Sequence, residues 1–222
     1  MVKQNDSHSP LLVDSLQQNI SKEAAPLLNF VLRHSKAIAL GLVVLVGAMA
    51  GFGIYNYMHE QKIAHAQERL GELAVSASTE SQLKALKTFV ATVPAQVQPA
   101  GLLALAKASL RVKDYASAVD AWGKLQSLNV EGMHDLAGLG KADAYARMGD
   151  YKKAQEVLTA MLPDASEAYV LPAKHQLALM AEQSGDMKTS LMLYKELEEA
   201  VPEANKAFYT RKVALLTGKL KD

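Results

Sequence analysis

The chain has 222 residues, with 24 basic side chains, 23 acidic ones and no cysteine. At 50% hydrophobic and 21% charged it is no disordered tract, and its length suits one or two small domains. The missing cysteines exclude a disulfide scaffold, thiolate catalysis and a cysteine-built metal site, and a formal net charge of +1 gives no overall pull toward nucleic acid.

In chain order, residues 1–36 read as a tail. MVKQNDSHSP is polar and reads as a disordered stretch. Over residues 11–33, Leu12, Leu16 and Ile20 recur at the i, i+4 spacing of one helical face. That pattern suits either a short amphipathic helix, on the inner membrane surface or as a partner site, or a solvated, partly ordered segment.

Residues 37–57, AIALGLVVLVGAMAGFGIYNY, carry no charge. As a helix this run is roughly 31 Å long, the hydrocarbon thickness of a bilayer. Arg33 and Lys36 precede it, and Tyr55 and Tyr57 stand at its far end, where amphipathic rings favour the interface. The run predicts a transmembrane signal anchor. A core helix of a soluble domain rarely stays uncharged for so long. Ala48-Met49-Ala50 has the A-x-A form of a signal-peptidase site, but the segment before the apolar run is far longer than a secretory n-region. The charges nearest the membrane, Arg33 and Lys36, place the N-terminus in the cytoplasm and residues 58–222 in the periplasm of a Gram-negative cell. Gly47 and Gly51 form a GxxxG pair that lets two membrane helices approach closely and so permits a homodimer, although glycine is common in such helices anyway.

Residues 58–222 repeat. Asp114, Asp150 and Asp186 stand 36 apart, inside Lys113-Asp114-Tyr115, Gly149-Asp150-Tyr151 and Gly185-Asp186-Met187. The small residues Ala118, Ala154 and Ser190 follow at one phase, and Ala106, Ala142 and Ala178 precede them at another. Trp122, Leu158 and Tyr194 align, as do Leu125, Met161 and Leu197. These are the marks of a helix hairpin. Small residues sit where two helices cross, a bulky one fills the space beside the crossing, glycine ends the first helix and aspartate caps the second. Back-projection puts Gln82, Leu86 and Phe89 in the second helix of a degenerate first hairpin, whose first helix covers residues 61–74 and runs on from the membrane span. Pro202 ends the last hairpin, and residues 205–219 read as a capping helix. The predicted fold class is all-α: one transmembrane helix, then an α-solenoid of about four hairpins and a cap.

These residues resemble the tetratricopeptide repeat, a helix–turn–helix unit of about 34 residues. The small pairs Ala106/Ala118, Ala142/Ala154 and Ala178/Ser190, the G-D-Y turn and the trailing proline match. The first-helix tryptophan slot instead holds Leu102, Gly138 and Lys174, and the tyrosine slot is kept only by Tyr145. A short tail, one anchor and about four degenerate repeats together resemble the ancillary SecYEG translocon subunit family. That resemblance implies contact with translocon subunits and with periplasmic chaperones or emerging clients. A scaffold or assembly factor for another envelope complex, in cytochrome maturation or cell division, would look the same in sequence.

Chemistry is sparse. Gly138-Leu139-Gly140-Lys141 lacks the leading glycine and the hydroxyl of a phosphate loop, and no H-E-x-x-H or G-x-S-x-G occurs. Ser81 to Lys84 matches S-x-x-K without its companion motifs. His59 and His65 are six apart, off one helical face, so no metal pair forms there. Glu196, Glu198 and Glu199 read as a solvated helix face. No catalytic, metal or cofactor site is expected. Lys152-Lys153 and Arg211-Lys212 are isolated basic doublets without interleaved aromatics, so no nucleic-acid surface is expected either. In such solenoids the first helices line a groove. Lys107, Arg111, Asp143, Arg147, His175, Gln176 and Leu179 are its candidate lining, and Arg111 and Arg147 share one phase as a ladder for acidic or C-terminal groups. The lysine–asparagine pattern of carboxylate-clamp repeats is not visible at these phases. The competing reading is that both arginines simply face solvent.

Overall fold

The computed structural model describes residues 30, 33–75, 79–128 and 130–221. Among the described residues there are nine α-helices, one 3-10 turn and no strand. The chain packs as two units, Met1–Glu60 and Gln61–Asp222. Helix α1, Ser35–Val75, contributes to both.

In the first unit, α1 is apolar on every side. Leu40, Val43, Val46, Met49, Phe52 and Ile54 are all exposed. Its most apolar stretch has a mean hydropathy of 2.4 and no buried residue, which makes α1 a candidate membrane span. An all-round apolar helix with nothing packed on it among the described residues suits a lipid environment better than water. The amphipathic helix expected over residues 11–33 lies almost wholly outside the described residues.

The second unit opens with the last turns of α1. It continues through α2 (Glu80–Thr92), α3 (Gln98–Arg111), α4 (Tyr115–Ser127), α5 (Met133–Arg147) and α6 (Tyr151–Met161). A 3-10 turn, Leu162–Asp164, then leads into α7 (Glu167–Ser184), α8 (Met187–Ala200) and α9 (Glu203–Lys219). From α2 to α9 each helix packs on the next, and α5 also touches α7. Hairpins α3/α4, α5/α6 and α7/α8 therefore stack as repeats of a solenoid, and α9 covers the end of the stack.

The turns inside the hairpins explain the period. The residue before each capping aspartate, at the end of α3, α5 and α7, takes a left-handed conformation: Lys113 has φ 62°, Gly149 80° and Gly185 86°. Glycine tolerates this and lysine does not, so the first of the three turns is the strained one. The aspartate that follows caps the next helix. Asp114 accepts from Ser117 N, Asp150 from Lys153 N and Asp186 from Thr189 N, each at 3.1 Å.

The core follows the same register. Ala106, Ala118, Ala142, Ala154, Ala178 and Ser190 are all fully buried, as the close crossing of paired helices requires. Leu125, Leu158, Tyr194 and Leu197 beside them are equally buried, while Trp122 and Met161 are nearly so. Leu86 of α2 and Leu216 of α9 close the core at its two ends. The capping helix begins two residues earlier than the sequence reading placed it, with Pro202 serving as its N-cap rather than only as a stop for α8. The first helix of the degenerate hairpin runs on from the apolar stretch as the end of α1, as expected, and is closed on α2 through Gln82, whose amide donates to the Leu73 carbonyl.

Candidate partner groove

Helices α3, α5 and α7 are the first helices of the three hairpins, and the candidate groove residues all lie on them. The structure does not present these residues alike. Lys107 and Arg111 are exposed, one turn apart on α3. Neither has a carboxylate within ion-pair distance among the described residues. One period on, Asp143 replaces the lysine and Arg147 keeps the arginine. Here the guanidinium Nε donates to Asp143 Oδ2 at 2.7 Å. Asp143 and then the Tyr115 hydroxyl hold the Arg147 guanidinium above its ordinary pKa. The arginine ladder is thus chemically uneven: Arg147 is satisfied within its own helix, and Arg111 stands beside a second cation.

Lys107 and Arg111 edge a cleft of about 260 Å³. Its apolar lining is Leu70 and Ala74 from the end of α1, Leu86 from α2, and Ala100, Leu103 and Ala104 from α3. This is smaller than the roughly 300–1,000 Å³ that encloses small-molecule ligands, and suits one or two side chains.

His175, Gln176 and Leu179 are half-buried and also contact neighbouring helices. The His175 ring sits edge-on to Tyr194 and Tyr209 and is tilted against Phe208. Its Nδ1 lies 3.3 Å from the Tyr209 hydroxyl. Burial, then the Lys212 charge, pushes His175 below its ordinary pKa. Gln176 donates to the Leu139 carbonyl at 3.4 Å, and Leu179 packs on the core of the last two hairpins. All three residues thus touch neighbours of α7 while keeping part of their surface exposed. Gly47 and Gly51 on α1 have open space around them.

Two polar brackets escaped the sequence reading. Asp135, in the first turn of α5, is nearly buried and accepts from Ser166 N at 3.0 Å and Ser166 Oγ at 2.6 Å, fixing the start of α7. Lys212 of α9 pairs with Glu182 of α7 at 2.7 Å, and the Tyr194 hydroxyl donates to the same carboxylate at 3.4 Å. Both join residues about thirty apart, so no local spacing announces them. Among the described residues no three His, Asp or Glu side chains cluster to hold a metal.

A stack of helix hairpins displaying side chains from successive first helices is the architecture of a protein-interaction scaffold. The chain belongs to the tetratricopeptide repeat-like domain family, whose sequence model matches residues 29–190. It matches no curated protein. Among solved structures it is similar to MamA 41-end from Desulfovibrio magneticus RS-1, at 19% identity and a TM-score of 0.55, over 72% of this chain and 86% of that one. It is likewise similar to the MamA RS-1 ArsTM double mutant, at 18% identity and a TM-score of 0.56, with the same coverage. At such identities the likeness concerns the fold.

Proposed function

We propose that this chain is a membrane-anchored, non-catalytic protein-interaction module of the bacterial inner membrane. Its N-terminus is cytoplasmic, and its repeat domain is periplasmic. It serves as an ancillary translocon subunit, linking SecYEG to periplasmic chaperones or emerging clients. The observation that carries this reading is the pairing, among the described residues, of one exposed apolar helix with a repeat solenoid in a single chain. Anchoring matters physically, because a tethered groove works at a high effective concentration of whatever passes the membrane there, and a weak affinity then suffices. Arg33 and Lys36, next to the apolar run, support the cytoplasmic N-terminus. The open surroundings of Gly47 and Gly51 leave room for a second copy of α1.

The test is a pull-down of full-length protein from detergent-solubilised native membranes, crosslinked beforehand and read by mass spectrometry. Recovery of SecY, SecE or SecG together with periplasmic chaperones is the expected result. Enrichment of a cytochrome-maturation or division complex instead would move the scaffold to that assembly and end the translocon reading.

A further inference from the structure

The internal repeat supplies its own control for one feature. At Arg147 the chain shows what this arginine position does with a carboxylate one turn away: Asp143 Oδ2 docks on Nε at 2.7 Å. One period earlier the same two positions hold Lys107 and Arg111, so the carboxylate has been exchanged for a second cation. The two like charges repel at i, i+4 spacing, a local cost that no acid among the described residues relieves. Beside them is the apolar cleft floored by Leu70, Leu86, Leu103 and Ala104.

We propose that this cleft takes an acidic segment of a partner protein, with one apolar side chain seated on the partly exposed Leu70 and Leu103 and a carboxylate on Lys107 and Arg111. The incoming carboxylate stands to Arg111 as Asp143 stands to Arg147. This assignment rests on the reading of the chain as an interaction module, and it names the chemistry the module selects. Charge complementarity picks an acidic segment over a basic or neutral one. The small size of the cleft picks a side-chain anchor over a whole helix face.

The experiment uses full-length protein in nanodiscs of zwitterionic lipid and two fluorescent peptides. Both carry leucines four residues apart; one has flanking glutamates and the other has glutamines in their place. The glutamate peptide should bind, more weakly as salt rises, and the glutamine peptide should bind far less. Lys107→Asp rebuilds at Arg111 the pair found at Arg147. It should lower glutamate-peptide affinity about ten- to a hundred-fold, the loss of charge-assisted hydrogen bonds, while helix content and thermal midpoint hold. Arg111→Gln should weaken binding in the same direction. Equal binding of both peptides, binding untouched by either substitution, or no binding at all would overturn the proposal. So would a Lys107-dependent affinity for phosphatidylglycerol vesicles in place of the peptide. If Lys107→Asp leaves crosslinked partner recovery from membranes unchanged, the cleft assignment falls and the interaction module stands. If the wild-type chain recovers no partner, the module itself falls.

Discussion

Lys113 is the clearest residue-level departure from the repeat. Its φ of 62° is one that glycine adopts freely at the two equivalent turns. Lys113→Gly should raise stability by about 0.5–1 kcal/mol, the relief of left-handed strain less the entropy glycine loses on folding. Urea unfolding of the full-length protein in detergent measures it. Acid sensitivity also belongs to single residues. The folded pKa of His175 lies below 6.5 because of burial and then Lys212. The unfolded chain therefore takes up a proton first, and stability is full above 6.5 and falls as pH drops through that value. Asp135 follows at lower pH. Burial pushes its carboxyl up, the Ser166 hydroxyl and backbone N–H together with His134 pull it down by more, and it ends below 3.8. Its contribution is present above 3.8 and is lost as pH falls through the lower folded value. The N-caps Asp114, Asp150 and Asp186, lowered chiefly by Ser117, Lys153 and Thr189, act in the same sense. Thermal midpoints against pH should therefore fall in two limbs, with His175→Asn removing the upper one and Asp135→Asn softening the lower.

Among the elements, α5 and α9 show where local pattern stops being informative. The hairpins themselves were legible, because each rests on residues close in sequence: a left-handed turn residue, an aspartate cap and small residues at the crossing. Gly138 and Gly140 both lie inside α5, where glycine is a poor helix former. Structure gives each a reason: a Cβ at Gly138 would press on the Met161 thioether, and one at Gly140 on the Trp122 ring. The flexible thioether can move and the indole cannot. Gly140→Ala should thus cost about 1–3 kcal/mol, and Gly138→Ala should stay within about 0.5 of wild type, since alanine favours the helix. Parallel thermal melts of the two variants decide this. Docking of α9 was legible as a cap, while its anchor on α7, the Lys212–Glu182 pair, was not. Lys212→Met should cost about 2 kcal/mol by leaving the largely buried Glu182 carboxylate uncompensated, and adding Glu182→Gln should recover much of it. If the two changes are simply additive, α9 is held by its aromatic contacts with His175 and Tyr194 instead.

Across the whole molecule, composition and period were enough for the all-α solenoid and the single apolar helix, since both depend on patterns that repeat or run uninterrupted. The groove was less legible. Phase alone made Arg111 and Arg147 equivalent, and only the packed structure shows one neutralised by Asp143 and the other edging a cleft. That cleft joins residues of α1, α2 and α3, a juxtaposition no single helix reveals. His175, Gln176 and Leu179 share the phase of the groove but meet α5, α8 and α9 once the chain is folded. A module that meets exported proteins must hold its repeats outside the cytoplasm, and the absence of cysteine makes that side measurable. A single cysteine at exposed Ser81, or at Ser7 near the N-terminus, can be challenged in spheroplasts with a membrane-impermeant maleimide. Ser81→Cys should be labelled in intact spheroplasts and Ser7→Cys only after lysis; the reverse pattern would place the repeats in the cytoplasm and contradict a role at the exit of the translocon.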